Sequence, residues 1–161
     1  MTAARCAECG AELPEAGACI ALFHELLALE AQVVGGPGEV PHFLAVATYN
    51  LQHPSAFTLA ALAGLRRAVA DVLDGSATIA EVRRRAGAGA RGATRVKRRS
   101  EDASTRSEDA PRSRWPTHWP STVRDVCRLA PEQYIDHVTA WARDTVRTLD
   151  QTLGASPRAS E

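Results

Sequence analysis

The sequence predicts a mostly α-helical fold: a single small domain of five or six helices, with a zinc-knuckle-like segment at its N-terminus and a disordered insert. Three observations predict it. The 161 residues are 45% hydrophobic but only 5% aromatic. A core must therefore come mostly from Ala, Leu and Val, which favours helices over a sheet sandwich. Apolar residues recur at helical spacing in segments divided by glycine and proline stops. Finally, Cys6-Ala7-Glu8-Cys9 stands ahead of the first such segment, where there is no sustained periodicity.

Residues 1–17 read as an irregular knuckle, with Gly10 suited to a tight turn after Cys9. A first helix runs from Ala18 to Val34, carrying Cys19, Leu22, Phe23, Leu26, Leu27 and Ala31 at helical spacing, and Gly35 to Gly38 end it. A second starts near Pro41 and continues to His53, where Pro54 stops it. Ser55 reads as the N-cap of a third helix that begins by Phe57 and ends at Asp74-Gly75. A short fourth helix from Thr78 to Ala86 opens on a Thr78/Glu81 capping box.

Residues 87–114 change character. They are poor in apolar residues and read as a disordered Arg/Ser-rich linker or loop. Order resumes at Trp115. A short helix from Thr122 to Ala130 and a long one from Pro131 to Leu153 complete residues 115–154, and 155–161 read as a frayed tail. Residues 1–86 and 115–154 are expected to share one core.

Net charge is zero, so no global field points to nucleic acid or acidic substrates. No apolar run approaches the length of a membrane span, and the first residues lack a signal-peptide core. The expected location is the cytoplasm. In that reducing setting clustered cysteines are ligands more often than disulfides.

Cys6-x-x-Cys9 is the spacing of half a zinc knuckle, because two thiolates three apart reach one ion across a tight turn. No second C-x-x-C or H-x-x-x-H completes it. Bond geometry selects the other two ligands. His42 and His53 lie on one helix about 16 Å apart along its axis, so they cannot share an ion. Folding the first two helices as an antiparallel hairpin brings Cys19 level with His53. His42 comes level with the far end of the first helix instead. The expected site is Cys6, Cys9, Cys19 and His53 around zinc, with His42 as runner-up.

Other residues carry weaker signals. His42 shares a face with Val46 and Tyr49 and has two readings, a general base near Tyr49 or a helix-start histidine with a structural bond. His24 reads as a solvent-facing or boundary residue, Asp136 and His137 as lying on the polar side of the last helix, and Cys127 as core. The stretch 83–99 holds eight basic residues and no acidic one. It reads first as solvated chain, since it offers little aromatic stacking for bases.

The pattern Cys6-Ala7-Glu8-Cys9-Gly10-Ala11, Ala18-Cys19, His42 and Tyr49-Asn50-Leu51-Gln52-His53-Pro54 resembles a bacterial family catalogued as domain of unknown function 5946. Trp119-Pro120, Val123-Arg124-Asp125-Val126 and Val138-Thr139-Ala140-Trp141-Ala142 resemble its C-terminal half. The resemblance marks Cys6, Cys9, Cys19, His42 and His53, implies a metal site and implies no activity. The Arg-rich insert and Ser55 depart from the family pattern. The leading expectation is a non-enzymatic zinc-stabilised domain that contacts a protein partner. The alternatives are an enzyme using an open zinc position or His42 with Tyr49, and nucleic-acid binding through 83–99.

Overall fold

Residues 4–13, 18–34, 39–91 and 114–154 are described by a computed structural model of the chain. Among them are two short strands, β1 (Ala4–Arg5) and β2 (Glu12–Leu13). Six α-helices follow: α1 (Ala18–Val33), α2 (Glu39–Gln52), α3 (Leu59–Leu73), α4 (Ile79–Arg91), α5 (Val123–Cys127) and α6 (Tyr134–Leu153). The expected mostly helical fold is what forms. The knuckle is more regular than expected, because Ala4 pairs with Leu13 and Arg5 with Glu12 in an antiparallel ribbon. The Gly35 to Gly38 stop, residues 92–113 of the insert expected over 87–114, and the tail over 155–161 lie outside the described residues.

Helix α1 buries Cys19, Phe23, Leu26 and Glu30, a stripe stepping by four, three and four residues. Helix α2 buries seven residues from Leu44 to Gln52, because it packs on α1, α3 and α6 together. Leu44, Leu51, Leu62, Val69, Val138, Trp141 and Leu149 are sealed where these helices meet. Each large side chain so buried stabilises by about 1.5–3 kcal/mol. Helices α2 and α6 run parallel. Glu30 joins the two near their starts, through His42 and Tyr134. Farther along, Gln52 Nε2 donates to Thr145 Oγ1 at 2.9 Å. Helix α5 sits against α1, where Cys127 Sγ donates to the Leu22 carbonyl at 3.1 Å. No helix among the described residues is long and apolar enough to cross a membrane.

Three boundaries differ from the sequence reading. Ser55 is not an N-cap. It lies inside a 3-10 turn, Pro54–Ala56, closed by the Phe57 amide on the Pro54 carbonyl at 3.0 Å. Phe57 is extended, and Thr58 caps α3 by accepting from the Ala61 amide at 3.3 Å. Helix α4 does open on the expected box, with the Thr78 amide donating to Glu81 at 2.6 Å. It then continues past Ala86 to Arg91. Good helix formers Arg84, Arg85, Ala86, Ala88 and Ala90 outweigh Gly87 and Gly89, whose penalty is about 1 kcal/mol each. Helix α5 ends early because Pro131 holds Ala130 extended, at ψ 129°. A 3-10 turn, Pro131–Gln133, then leads into α6.

Candidate metal centre

Cys6, Cys9, Cys19 and His53 meet at one end of the α1–α2 pair. Their ligand atoms, three Sγ and one imidazole nitrogen, all lie within 4.8 Å of one another. Cys6 Sγ is 3.6 Å from His53 Nε2, and Cys9 Sγ is 3.5 Å from Cys19 Sγ. Tetrahedral zinc with bonds of about 2.0–2.3 Å needs ligand edges of roughly 3.3–3.8 Å. The two close pairs already have that spacing.

Local sequence chemistry sets each ligand. The Gly10 amide donates to the Cys6 carbonyl and the Cys6 amide to the Ala11 carbonyl, both at 2.9 Å, which curls the chain between the two cysteines. Gly10 has φ +74°, and a Cβ there would meet the Thr117 carbonyl oxygen at 2.4 Å. Glycine is thus required both by the turn and by the close approach of the loop at Thr117. Arg124 donates to the Glu12 carbonyl and ties the ribbon to α5. Trp115 Nε1 donates to the Leu51 carbonyl at 2.6 Å, anchoring the same loop two residues before His53.

His53 is oriented as a ligating imidazole should be. Its Nδ1 is 2.8 Å from the Tyr49 carbonyl, which can only accept, so Nδ1 carries the hydrogen. That leaves the Nε2 lone pair facing the cysteines. A backbone carbonyl on the second nitrogen is the usual support of a metal-binding histidine. Tyr49 stacks on the His53 ring at 4.0 Å, and Phe23 stacks on Tyr49 at 4.1 Å. The aromatic pair covers one flank of the cluster.

The Cys9 thiol is lowered to about 4, first by the hydrogen bond from Cys19, with help from His53 and the Ala11 amide against burial. Cys19 is pushed far up in turn, because it holds the shared proton, is buried and faces Cys9 and Cys6. Burial opposes charge on His53, yet its bonds to Cys9 and the Tyr49 carbonyl raise it to about 9. Burial and the nearby thiols raise Tyr49 as well. Several thiolates cannot coexist here without a cation. A divalent metal would supply that charge, so the donor set fits one.

Cys19 lies beside His53 at one end of the α1–α2 pair, and His42 lies at the other. His42 stands at the far end of α1, where its Nδ1 donates to Glu30 Oε1 at 3.0 Å. It does not partner Tyr49, which is taken up by the stack on His53. Tyr134 Oη donates to the other Glu30 oxygen at 2.6 Å. Glu30 is only 1% exposed, and sequence reasoning missed both it and Tyr134 as its partner. A signal was present, since Glu30 continues the Cys19, Phe23, Leu26 stripe and a carboxylate there must be buried. Arg66 was missed likewise. It lies between Leu62 and Val69 on the buried face of α3, and its Nε donates to Asp150 at 3.0 Å.

His24 is exposed, as expected, and His137 is half-buried. Cys127 is half-buried, and burial raises its thiol to about 11. In the basic stretch, Arg83 pairs with Glu39 at 3.0 Å, Arg84 with Glu81 at 3.8 Å and Arg85 with Asp71 at 2.6 Å. Arg95 to Arg99 lie outside the described residues.

Among known protein families, a model described as a family of unknown function (DUF5946) matches residues 4–150. No curated protein and no solved structure matches the chain.

Proposed function

The chain belongs to this family of unknown function, DUF5946, and we propose from its site that Cys6, Cys9, Cys19 and His53 hold one zinc ion as a closed structural centre in a non-enzymatic helical domain. One observation carries the reading: four ligand atoms from three separate segments lie within 4.8 Å of one another. Sulfur and nitrogen donors suit zinc and do not suit calcium or magnesium, which take oxygen. With four protein ligands zinc keeps no open position for water, and such sites are structural. Holding the thiols ready for metal needs reducing surroundings, which a cytoplasmic setting supplies.

The ion would clamp the knuckle to the start of α1 and the end of α2. Zinc binding at structural sites is worth about 10–16 kcal/mol and is coupled to folding. A protein partner is the contact this domain is expected to serve. Val33, Val40 and Ile135 support that reading, being among the large aliphatic side chains left exposed. The ion pairs of Arg83, Arg84 and Arg85 weigh against nucleic-acid binding through α4, because part of their charge is already matched.

Metal analysis of freshly reduced full-length protein tests the reading. About one zinc per chain is expected, and cobalt substitution should give the intense visible bands of a four-coordinate thiolate site. Absence of metal sinks the proposal. A bound metal with an exchangeable water would move the reading to an open, enzyme-type site.

A further inference from the structure

The three cysteines of the centre are not equally placed. Cys9 and Cys19 are 1% and 5% exposed, while Cys6 is only partly buried. Phe23 and Tyr49 stack behind His53 and cover its flank. Of the three cysteines, Cys6 is therefore the residue that an approaching small molecule reaches first. The Cys9 thiol stands behind it within 4.8 Å, on the same short turn. Building on the zinc reading above, we propose that the centre is a peroxide-responsive switch, in which Cys6 is the attacking sulfur, Cys9 resolves it, and zinc is released.

The chemistry balances as follows. The Cys6 thiolate attacks one oxygen of a hydroperoxide. The sulfur–oxygen bond forms, the oxygen–oxygen bond breaks, and the departing hydroxide takes a proton from solvent to leave as water. The Cys9 thiolate then attacks the Cys6 sulfenic sulfur. The disulfide forms, the sulfur–oxygen bond breaks, and a second protonated hydroxide leaves as water. Two thiolates, one hydrogen peroxide and two protons give one disulfide and two waters. The two sulfurs are oxidised and the peroxide oxygens are reduced. Zinc is left with Cys19 and His53, two ligands in place of four, and dissociates. The ribbon and knuckle then lose their metal link to α1 and α2 and are held by the buried Ala11 and Leu13 and by the Arg124 bond to the Glu12 carbonyl.

Cys127 provides an internal control. It lies outside the cluster, bonded to the Leu22 carbonyl, and its raised thiol is a poor nucleophile at neutral pH.

The test is titration of zinc-loaded full-length protein with hydrogen peroxide, read with a chromogenic zinc chelator. Cleavage after Glu8 and mass spectrometry then identify the linked cysteines. The expected result is one zinc released per disulfide formed, a Cys6–Cys9 link, and recovery on adding a dithiol with zinc. Cys127→Ser should respond as the unaltered chain does. Zinc that stays bound while peroxide consumes Cys127 overturns the inference and leaves the structural site intact. A link other than Cys6–Cys9 also overturns it. A preparation with no zinc at the start sinks the metal reading, and this inference with it.

Discussion

His53 Nε2 lies 3.6 Å from Cys6 Sγ, across 47 residues of sequence. The Nδ1 hydrogen bond to the Tyr49 carbonyl makes that nitrogen the free one. The pair marks where the knuckle meets the end of α2. Its loss should be read in metal content before anything else.

Cys6→Ser and His53→Ala should each lose zinc and melt several degrees or more below the unaltered chain, by chelator-free thermal unfolding. His42→Ala should keep its zinc, because His42 is bound to Glu30 at the other end of α2. Loss of zinc from the His42 variant with retention in the His53 variant would reverse the ligand assignment.

Metal-free protein should have a flat-topped pH profile of stability. Cys9 is lowered from 9.0 to about 4, so in that interval the unfolded chain binds the extra proton and stability climbs with pH. His53 is raised from 6.5 to about 9, so its contribution is full below 6.5 and is lost on the way to 9. The two slopes oppose each other there, leaving a plateau. Cys19 is raised above its ordinary 9.0, so stability falls beyond that point. Denaturant midpoints across pH should therefore rise from about 4 to 6.5, level off, then drop past 9. Continuous loss of stability from pH 5 upward would contradict this arrangement.

Tyr134→Phe should destabilise by about 1–3 kcal/mol, since it removes a donor from a buried carboxylate. Combining it with Glu30→Gln should cost less than the two single changes added together, because both belong to one network. Urea unfolding of the four proteins measures this. Strict additivity would show that Glu30 and Tyr134 are not coupled.

Two glycines should respond in opposite directions to alanine. Gly10→Ala meets both the φ of +74° and the Thr117 oxygen, and should cost more than about 1 kcal/mol and weaken zinc retention. Gly64 lies within α3 with nothing within 4 Å of a new Cβ, so Gly64→Ala should stabilise by about 0.5–1 kcal/mol. Equal effects at the two positions would mean that neither the turn nor the helix environment is as described.

Much of the fold could be read locally. The Thr78/Glu81 box, the Asp74-Gly75 stop and the stripe through Tyr134, Val138, Trp141 and Thr145 all depend on residues within a few positions of one another. Ser55 was misplaced because a proline followed by small residues suits a 3-10 turn as well as a helix start. Only the extended Phe57 decides between them. The β1–β2 ribbon escaped notice because two-residue strands carry no alternation to detect.

The candidate site divides the same way. C-x-x-C spacing, helix lengths and the rise per residue were enough for the sequence to choose His53 over His42, since they bound how far apart two residues of one helix must lie. Tertiary structure alone decided what His42 does, which glycine the Thr117 loop requires, and that Cys6 is the least buried of the three cysteines. Periodicity shows that a residue such as Glu30 faces inward. Its partner Tyr134 is 104 residues away, and the packing of α1 against α2 and against the Pro131–Gln133 turn that leads into α6 brings the two together.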